Sequence, residues 1–350
     1  MAKLIAIDLF SGCGGLTLGL KQAGFSVVGA VDNDNLSVET YKANHPEVFL
    51  WGKDISELST LTVKRKLGIQ KRKLDLLAGC PPCQGFSTIR TLNGSRVITD
   101  PRNDLIEEFY RFVKDFLPKA VMLENVPGLA DDQRFKIFLE QMIDLGYIGN
   151  YDVLNAADYG VPQRRRRLIY LAGYKRKIEF APKAKKRKTV KDVIANLPSA
   201  GTSGDPIHDL PEKRTPKILQ LIKKIPKNGG SRTDLPETEQ LECHKKCTGF
   251  KDVYGRMTWD DVSPTLTSGC FNPSKGRFLH PEEDRAITMR EAALLQGFPK
   301  KYKFPIIKSK SNIALLIGNA LPPEFIRNHA LQISNYLSLI ETQRLNNSDK

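Results

Sequence analysis

The sequence predicts an α/β fold, a mostly parallel sheet with helices on both faces, joined to a smaller irregular domain. Three observations predict it. The apolar run Leu4 to Leu9 leads into a glycine turn, Phe10-Ser11-Gly12-Cys13-Gly14-Gly15, after which Leu16, Leu20 and Ala23 recur at helical spacing. Further short apolar runs follow at 27–31, 74–77 and 120–123, the size of buried parallel strands. Past residue 195 the chain fills with breakers, Pro198, Gly201, Gly204, Pro206, Pro211, Pro216, Pro226, Gly229-Gly230 and Pro236, and keeps one amphipathic stretch, Ile218 to Ile225.

A chain of 350 residues, 40% of them hydrophobic, can bury one large core and a smaller one. Its net charge of +15 points to a polyanionic partner, and nucleic acid is the usual one. No apolar run approaches the ~20 residues of a membrane span. The N-terminal stretch breaks at Asp8 too early for a signal peptide. Six cysteines do not form a disulfide scaffold, so reduced thiols and a cytoplasmic location are expected.

Strand, glycine turn and helix open a nucleotide-binding unit, in which the glycines let backbone approach a ligand. Asp32 ends the second strand twenty residues after Gly12, where a carboxylate accepts from ribose hydroxyls. The phosphate fingerprint is incomplete, because Thr17 stands where it needs glycine. The loop therefore suits an adenosine ligand better than a pyrophosphate. Asp54 can accept from an adenine amino group or cap a helix before Ser56-Glu57.

The run at 74–77 leads into Gly79-Cys80-Pro81-Pro82-Cys83-Gln84-Gly85, and the run at 120–123 ends in Glu124-Asn125-Val126. In a parallel sheet both strand ends open onto one rim, which sets a thiolate nucleophile beside a carboxyl proton donor. The spacing of Cys80 and Cys83 also fits a redox pair or half a zinc site. Two intervening prolines argue against the first. The second needs about four ligands, and only the distant Cys243, His244 and Cys247 are on offer. No metal is expected. Leu105, Phe109, Phe112, Val113 and Phe116 form a helical stripe of core residues.

Pro82-Cys83-Gln84, Glu124-Asn125-Val126 and Gln163-Arg164-Arg165-Arg166-Arg167 occur in an order that resembles the DNA (cytosine-5) methyltransferase family of bacterial type. The opening 8–15, the segment Thr288 to Pro299 and Gly318-Asn319-Ala320-Leu321-Pro322-Pro323 also resemble that family's motifs. The resemblance spans nearly the whole chain outside about 175–250. It implies a Rossmann-like S-adenosylmethionine-dependent methyltransferase fold. Its catalytic and cofactor-binding domain would comprise 1–180 with 305–350, and a target-recognition domain and hinge would comprise 181–304.

The resemblance also implies roles. Cys83 would add to carbon 6 of cytosine, which turns carbon 5 into a nucleophile for the sulfonium methyl. Glu124 would hydrogen-bond ring nitrogen 3 and the exocyclic amine, protonated when it donates. Arg165 and Arg167 match the two arginines near the base. At strand spacing they share one face, and Arg164 and Arg166 the other. S-adenosylmethionine would be held by Phe10, Gly12, Gly14, Asp32, Asn33, Asp54, Ile55, Pro82, Leu105 and Asn319. The cytosine must leave the stack, and the segment 85–100, small and polar, reads as a loop closing over it.

Contacts to DNA are expected from Ser87, Arg164, Arg256, Thr265 and Arg290. From Lys175 to Lys191 there are nine Lys or Arg and one Glu, a basic linker suited to phosphates. Thr288 and Glu291 form a capping box opening a helix, with Arg290 by resemblance organising the recognition domain. Ile326, Ala330, Ile333, Leu337 and Ile340 stripe a last helix, and the tail from Arg344 is expected to fray. The expected activity is methylation of carbon 5 of cytosine in double-stranded DNA by a monomer. A cognate restriction endonuclease would act on the same site. The alternatives are a tRNA cytosine-5 methyltransferase of the same fold and a catalytically silent DNA-binding relative.

Overall fold

A computed structural model describes residues 3–82, 105–245, 251–305 and 309–348. In chain order the elements are β1 (Ile5–Leu9), α1 (Gly15–Gln22), β2 (Ser26–Val31), α2 (Asn35–Asn44), β3 (Phe49–Trp51), α3 (Thr60–Leu67), β4 (Leu76–Gly79), α4 (Leu105–Phe116), β5 (Ala120–Asn125), α5 (Gln133–Asp144), β6 (Tyr147–Asn155) and β7 (Arg166–Tyr174). The helices α6 (Val190–Ile194), α7 (Pro216–Lys224), α8 (Glu242–Lys245), α9 (Met289–Leu295), α10 (Lys310–Asn319) and α11 (Pro323–Ser348) follow. The fold divides into two compact units. One comprises 1–155, 166–183 and 323–350, and the other 156–165 and 184–322.

The first unit holds a seven-stranded sheet in the order β3-β2-β1-β4-β5-β7-β6. The first five of these strands pair in parallel, and β7 runs antiparallel to both β5 and β6. Polarity reverses beside β5, so β5 and the antiparallel β7 bring opposite chain ends to one rim. On one face the expected stripe Phe109, Phe112, Val113 and Phe116 of α4 packs with Ile7, Leu9, Leu77 and Leu123. On the other face α1 meets α11 so closely that a Cβ on Gly19 would lie 2.6 Å from the Pro323 carbonyl oxygen. The stripe residues Ile326, Ala330, Ile333 and Leu337 are buried there, and α11 stays helical to Ser348, past the expected fraying point.

The second unit is irregular, as its breakers predict. Its small core gathers Leu221, Ile222, Ile225, Leu235, Tyr254 and Leu279. The Thr288–Glu291 capping box is formed, and Arg285 clasps Glu291 through two hydrogen bonds of 2.8 Å.

Candidate active site

In the first unit the parallel strands β1, β4 and β5 end side by side. Asp8 pairs with Ala78, and Ala78 with Met122. With a side-chain period of two, Asp8, Cys80 and Glu124 project from one face of the sheet. Glu124 pairs with Ile169, two positions from Arg167 on β7. This brings the Arg167 Nε to 3.1 Å from a Glu124 side chain that is only 7% exposed. The resulting ion pair is nearly dry.

The Cys80 thiol also hydrogen-bonds Glu124, and burial, then the carboxyls of Glu124 and Asp8, push it well above the ordinary thiol range. Cys80 is thus held as S–H, unsuited to nucleophilic attack. Asn125 ties the two strand ends together. Its Nδ2 donates to the Pro81 carbonyl at 2.9 Å, and its Oδ1 accepts from the Val126 N–H at 2.8 Å. Pro82 is exposed at the end of this segment. Cys83, Ser87 and the expected closing loop lie outside the described residues.

Beside this rim the glycine turn takes left-handed backbone at Phe10 (φ 60), Gly12 (φ 53) and Gly14 (φ 95). A Cβ on Gly12 would meet nothing within 4 Å, so open space lies over the turn. Asp32 fixes the turn, its Oδ2 accepting from the Gly12 N–H at 2.8 Å and its Oδ1 from the Asp34 N–H at 3.0 Å. Burial pushes the Asp32 carboxyl upward, and those two backbone donors oppose the shift. Asn33 reaches across to Asp54 at 3.2 Å. Asp54 caps a short 3₁₀ helix through Ser56, whose hydrogen bonds hold its carboxyl below the usual range. The Ile55 side chain is buried in the core, and Leu105 packs against that core.

Sequence reasoning missed a buried chain under the turn. Thr17 Oγ1 donates to Asp8 Oδ2 at 2.6 Å and lies 2.7 Å from the Tyr41 hydroxyl. The available signal was an acidic residue inside an apolar strand, together with a threonine at the position that departs from the phosphate fingerprint.

The remaining candidates lie in the second unit and along the arginine run, whose Arg164 and Arg165 belong to it. The burial of the arginine run alternates, with Arg164 and Arg166 exposed, Arg165 buried and Arg167 half-buried. Arg165 donates to the carbonyls of Leu266 (3.3 Å) and Gly318 (3.1 Å). Gln163 and Gln296, which sequence reasoning left without roles, are buried and joined at 2.6 Å. Thr265 Oγ1 donates to the Arg164 carbonyl at 2.6 Å, and Asn319 is exposed at the end of α10.

Two expectations are corrected. Arg256 is fully buried, its guanidinium spent on the carbonyls of Ile222, Ile225, His280 and Glu283 and on Asp284, so no donor faces a phosphate. Arg290 is buried too, paired with Asp205 at 2.5 Å and donating to the Tyr302 carbonyl at 3.1 Å. It braces the unit from within.

The strand order and the single reversal at β7 define the fold of S-adenosylmethionine-dependent methyltransferases. The C-5 cytosine-specific DNA methylase family matches residues 4–335, and the chain belongs to that family as a DNA (cytosine-5)-methyltransferase. It is 37% identical over 355 residues to the type II methylase M.HgiDII of Herpetosiphon aurantiacus, covering 97% of this chain and 98% of that one. It is 34% identical over 368 residues to the type II methyltransferase M.XorII of Xanthomonas oryzae, covering 93% and 84%. Among solved structures, a prophage-encoded E. coli protein described as a DNA modification methyltransferase superposes with a TM-score of 0.68 at 26% identity, covering 96% of this chain and 99% of that one.

Proposed function

We propose that this protein binds S-adenosylmethionine beside the rim of β1, β2 and β4 and methylates carbon 5 of a cytosine rotated out of double-stranded DNA, through a transient bond from Cys83. The observation that carries the reading is the buried Glu124–Arg167 ion pair on the rim where the Cys80-Pro81-Pro82 segment is tied to β5. The first unit is the catalytic and cofactor unit, and the second is the target-recognition unit.

The residues around the glycine turn fit the cofactor. Open space stands over Gly12, the Asp32 carboxylate lies at a strand end, and Asn33 and Asp54 are linked at its flank. Phe10, Gly14, the Ile55 backbone, Pro82, Leu105 and Asn319 complete the proposed contacts. S-adenosylmethionine supplies the electrophilic methyl carbon.

The Cys83 thiolate adds to carbon 6, and the electron pair released into the ring makes carbon 5 nucleophilic. Glu124 delivers a proton to nitrogen 3 and accepts from the exocyclic amine, with Arg167 fixing its orientation. Once carbon 5 has taken the methyl group, leaving the donor as a neutral thioether, the carbon 5 proton leaves to a base, the nitrogen 3 proton returns to Glu124, the thiolate is expelled and the aromatic ring is restored. Arg165, held by the Leu266 and Gly318 carbonyls, is a further proposed contact of the base. Arg164, Thr265, Ser87 and the basic segment 183–188 engage the DNA backbone. The enzyme works as a cytoplasmic monomer beside an endonuclease of the same specificity, a context suggested by the type II names of its relatives.

Bisulfite sequencing of DNA from cells expressing the protein gives the target site. A duplex carrying 5-fluorocytosine at that site, with the methyl donor, is expected to yield a denaturation-resistant adduct mapping to Cys83. C83S should yield none yet retain DNA affinity. Absence of the adduct with the native protein would sink the reading.

A further inference from the structure

We infer that Cys80 is a positioning residue of the methyl-transfer site, its S–H holding the Glu124 carboxyl from the β4 side while Arg167 holds it from the β7 side. The inference rests on the catalytic reading of Glu124 given above.

The backbone makes this contact a product of register. Gly79 pairs with Leu123 in the parallel β4–β5 ladder, so Cys80 and Glu124 are the next neighbours on adjacent strands and share a face. The Cys80 N–H donates to the Leu9 carbonyl at 3.2 Å, which pins this residue to β1 as well. There is no slack beneath it. A Cβ on Gly79 would lie 2.8 Å from the Leu9 carbonyl oxygen and 2.9 Å from the Phe109 ring. Pro81 follows, its carbonyl held by Asn125. The thiol is therefore fixed at one corner of the carboxyl by backbone on both sides.

Among the described residues, Cys80 from β4 and Arg167 from β7 face Glu124, and the Asp8 carboxyl on β1 acts on the Cys80 thiol. The buried Asp8 carboxyl is pushed up to about 8, so near neutral pH it is largely uncharged. The half-buried thiol, pushed above the ordinary thiol range, keeps its S–H and donates it to the carboxylate. An S–H donated to a carboxylate favours its ionised form and restrains its rotation. The residue that sits three positions before the nucleophile thus sets both the aim and the proton affinity of the acid.

The test compares C80A, which deletes the donor, with C80S, which keeps one, in single-turnover methylation of target duplex across pH. C80A is expected to slow transfer roughly tenfold, leaving S-adenosylmethionine affinity unchanged. The limb of the pH profile that belongs to Glu124 should move to higher pH. C80S should return the rate and the limb towards the parental positions. Three results overturn the inference: C80A matching the parent, C80A slowed with the limb unmoved, or C80S no better than C80A. E124Q separates the two levels. If E124Q keeps the parental rate, the reading of Glu124 falls. If E124Q is inactive and C80A is normal, only the role of Cys80 falls.

Discussion

Replacing Asp8 by Asn should change how the stability of the first unit depends on pH. Asp8 is fully buried in the central strand. The single Thr17 proton goes to Asp8 Oδ2, so the Tyr41 hydroxyl must donate to Thr17. Asp8 Oδ1 has no hydrogen-bond partner among the described residues. A charge there is poorly compensated. Burial drives the carboxyl up to about 8, the Thr17 hydrogen bond opposes the shift, and the Asp32 charge adds to it.

In the unfolded chain the same group titrates near its ordinary value of 3.8. Between these values the folded state keeps a proton that the unfolded state has lost, so stability falls as pH rises, by about 1.4 kcal/mol per unit. From pH 4 to pH 7 this amounts to roughly 4 kcal/mol. Asn cannot ionise. Any cost of burying its amide is the same at every pH and does not alter the slope. The stability of D8N relative to the parent should therefore climb by that amount from pH 4 to pH 7 and level off above 8.

Urea unfolding in a W259F background, read through Trp51 on β3, isolates the first unit. Every other titrating group cancels in the difference between the two proteins. Parallel stability curves for parent and D8N between pH 5 and 7.5 would refute the reasoning.

Four further outcomes are expected. G19A should cost about 1–3 kcal/mol in the same Trp51 transition, because its Cβ would stand 2.7 Å from that of Ile326 and push α1 off α11. R256M should destabilise the second unit by about 3–5 kcal/mol, read through Trp259 in a W51F background, since it removes a fully buried guanidinium and its five hydrogen bonds. R164Q should leave both transitions unchanged but reduce the slope of log affinity for DNA against log salt by about one, as loss of a single phosphate contact requires. N125A should lower the single-turnover rate about 10–100-fold while sparing cofactor affinity, because the Pro81 tether is lost.

Four strands of the parallel half, β1, β2, β4 and β5, were legible because each is a short apolar run, whereas β3, only Phe49–Trp51, was not. Phe10 to Gly15 announces the end of β1, and Asp32 the end of β2. In the antiparallel half the extended run after the arginines was legible, but β6 and the direction of β7 were not. β6 reads Tyr-Ile-Gly-Asn-Tyr-Asp-Val-Leu-Asn and leaves Ile148 and Tyr151 exposed, so its hydrophobic alternation is faint. The direction of β7 is a tertiary property. Nothing in 166–174 distinguishes a strand that reverses beside β5 from one that runs with it.

The arginines show where motif and local pattern stop being informative. Period two along 164–167 anticipated the alternation of exposure, because that alternation is a local property of extended backbone. Arg256 and Arg290 lay in segments expected to meet DNA, but the groups that claim their guanidinium donors stand elsewhere in the chain. For Arg256 these groups are up to 34 residues away, and for Arg290 the Asp205 carboxylate is 85 residues away. A buried arginine and a phosphate-binding arginine share one chemistry, a planar fork seeking oxygens, and only the fold decides whose oxygens it finds. The same logic runs the other way at Asp8. Its charge marked it as polar, but an acid inside a buried strand that is answered by a hydroxyl instead of a cation is better placed to keep its proton than to bind with it. Glu124 has a cation within reach, Arg167 at 3.1 Å, so the two buried carboxyls of this rim meet opposite partners, a hydroxyl and a guanidinium.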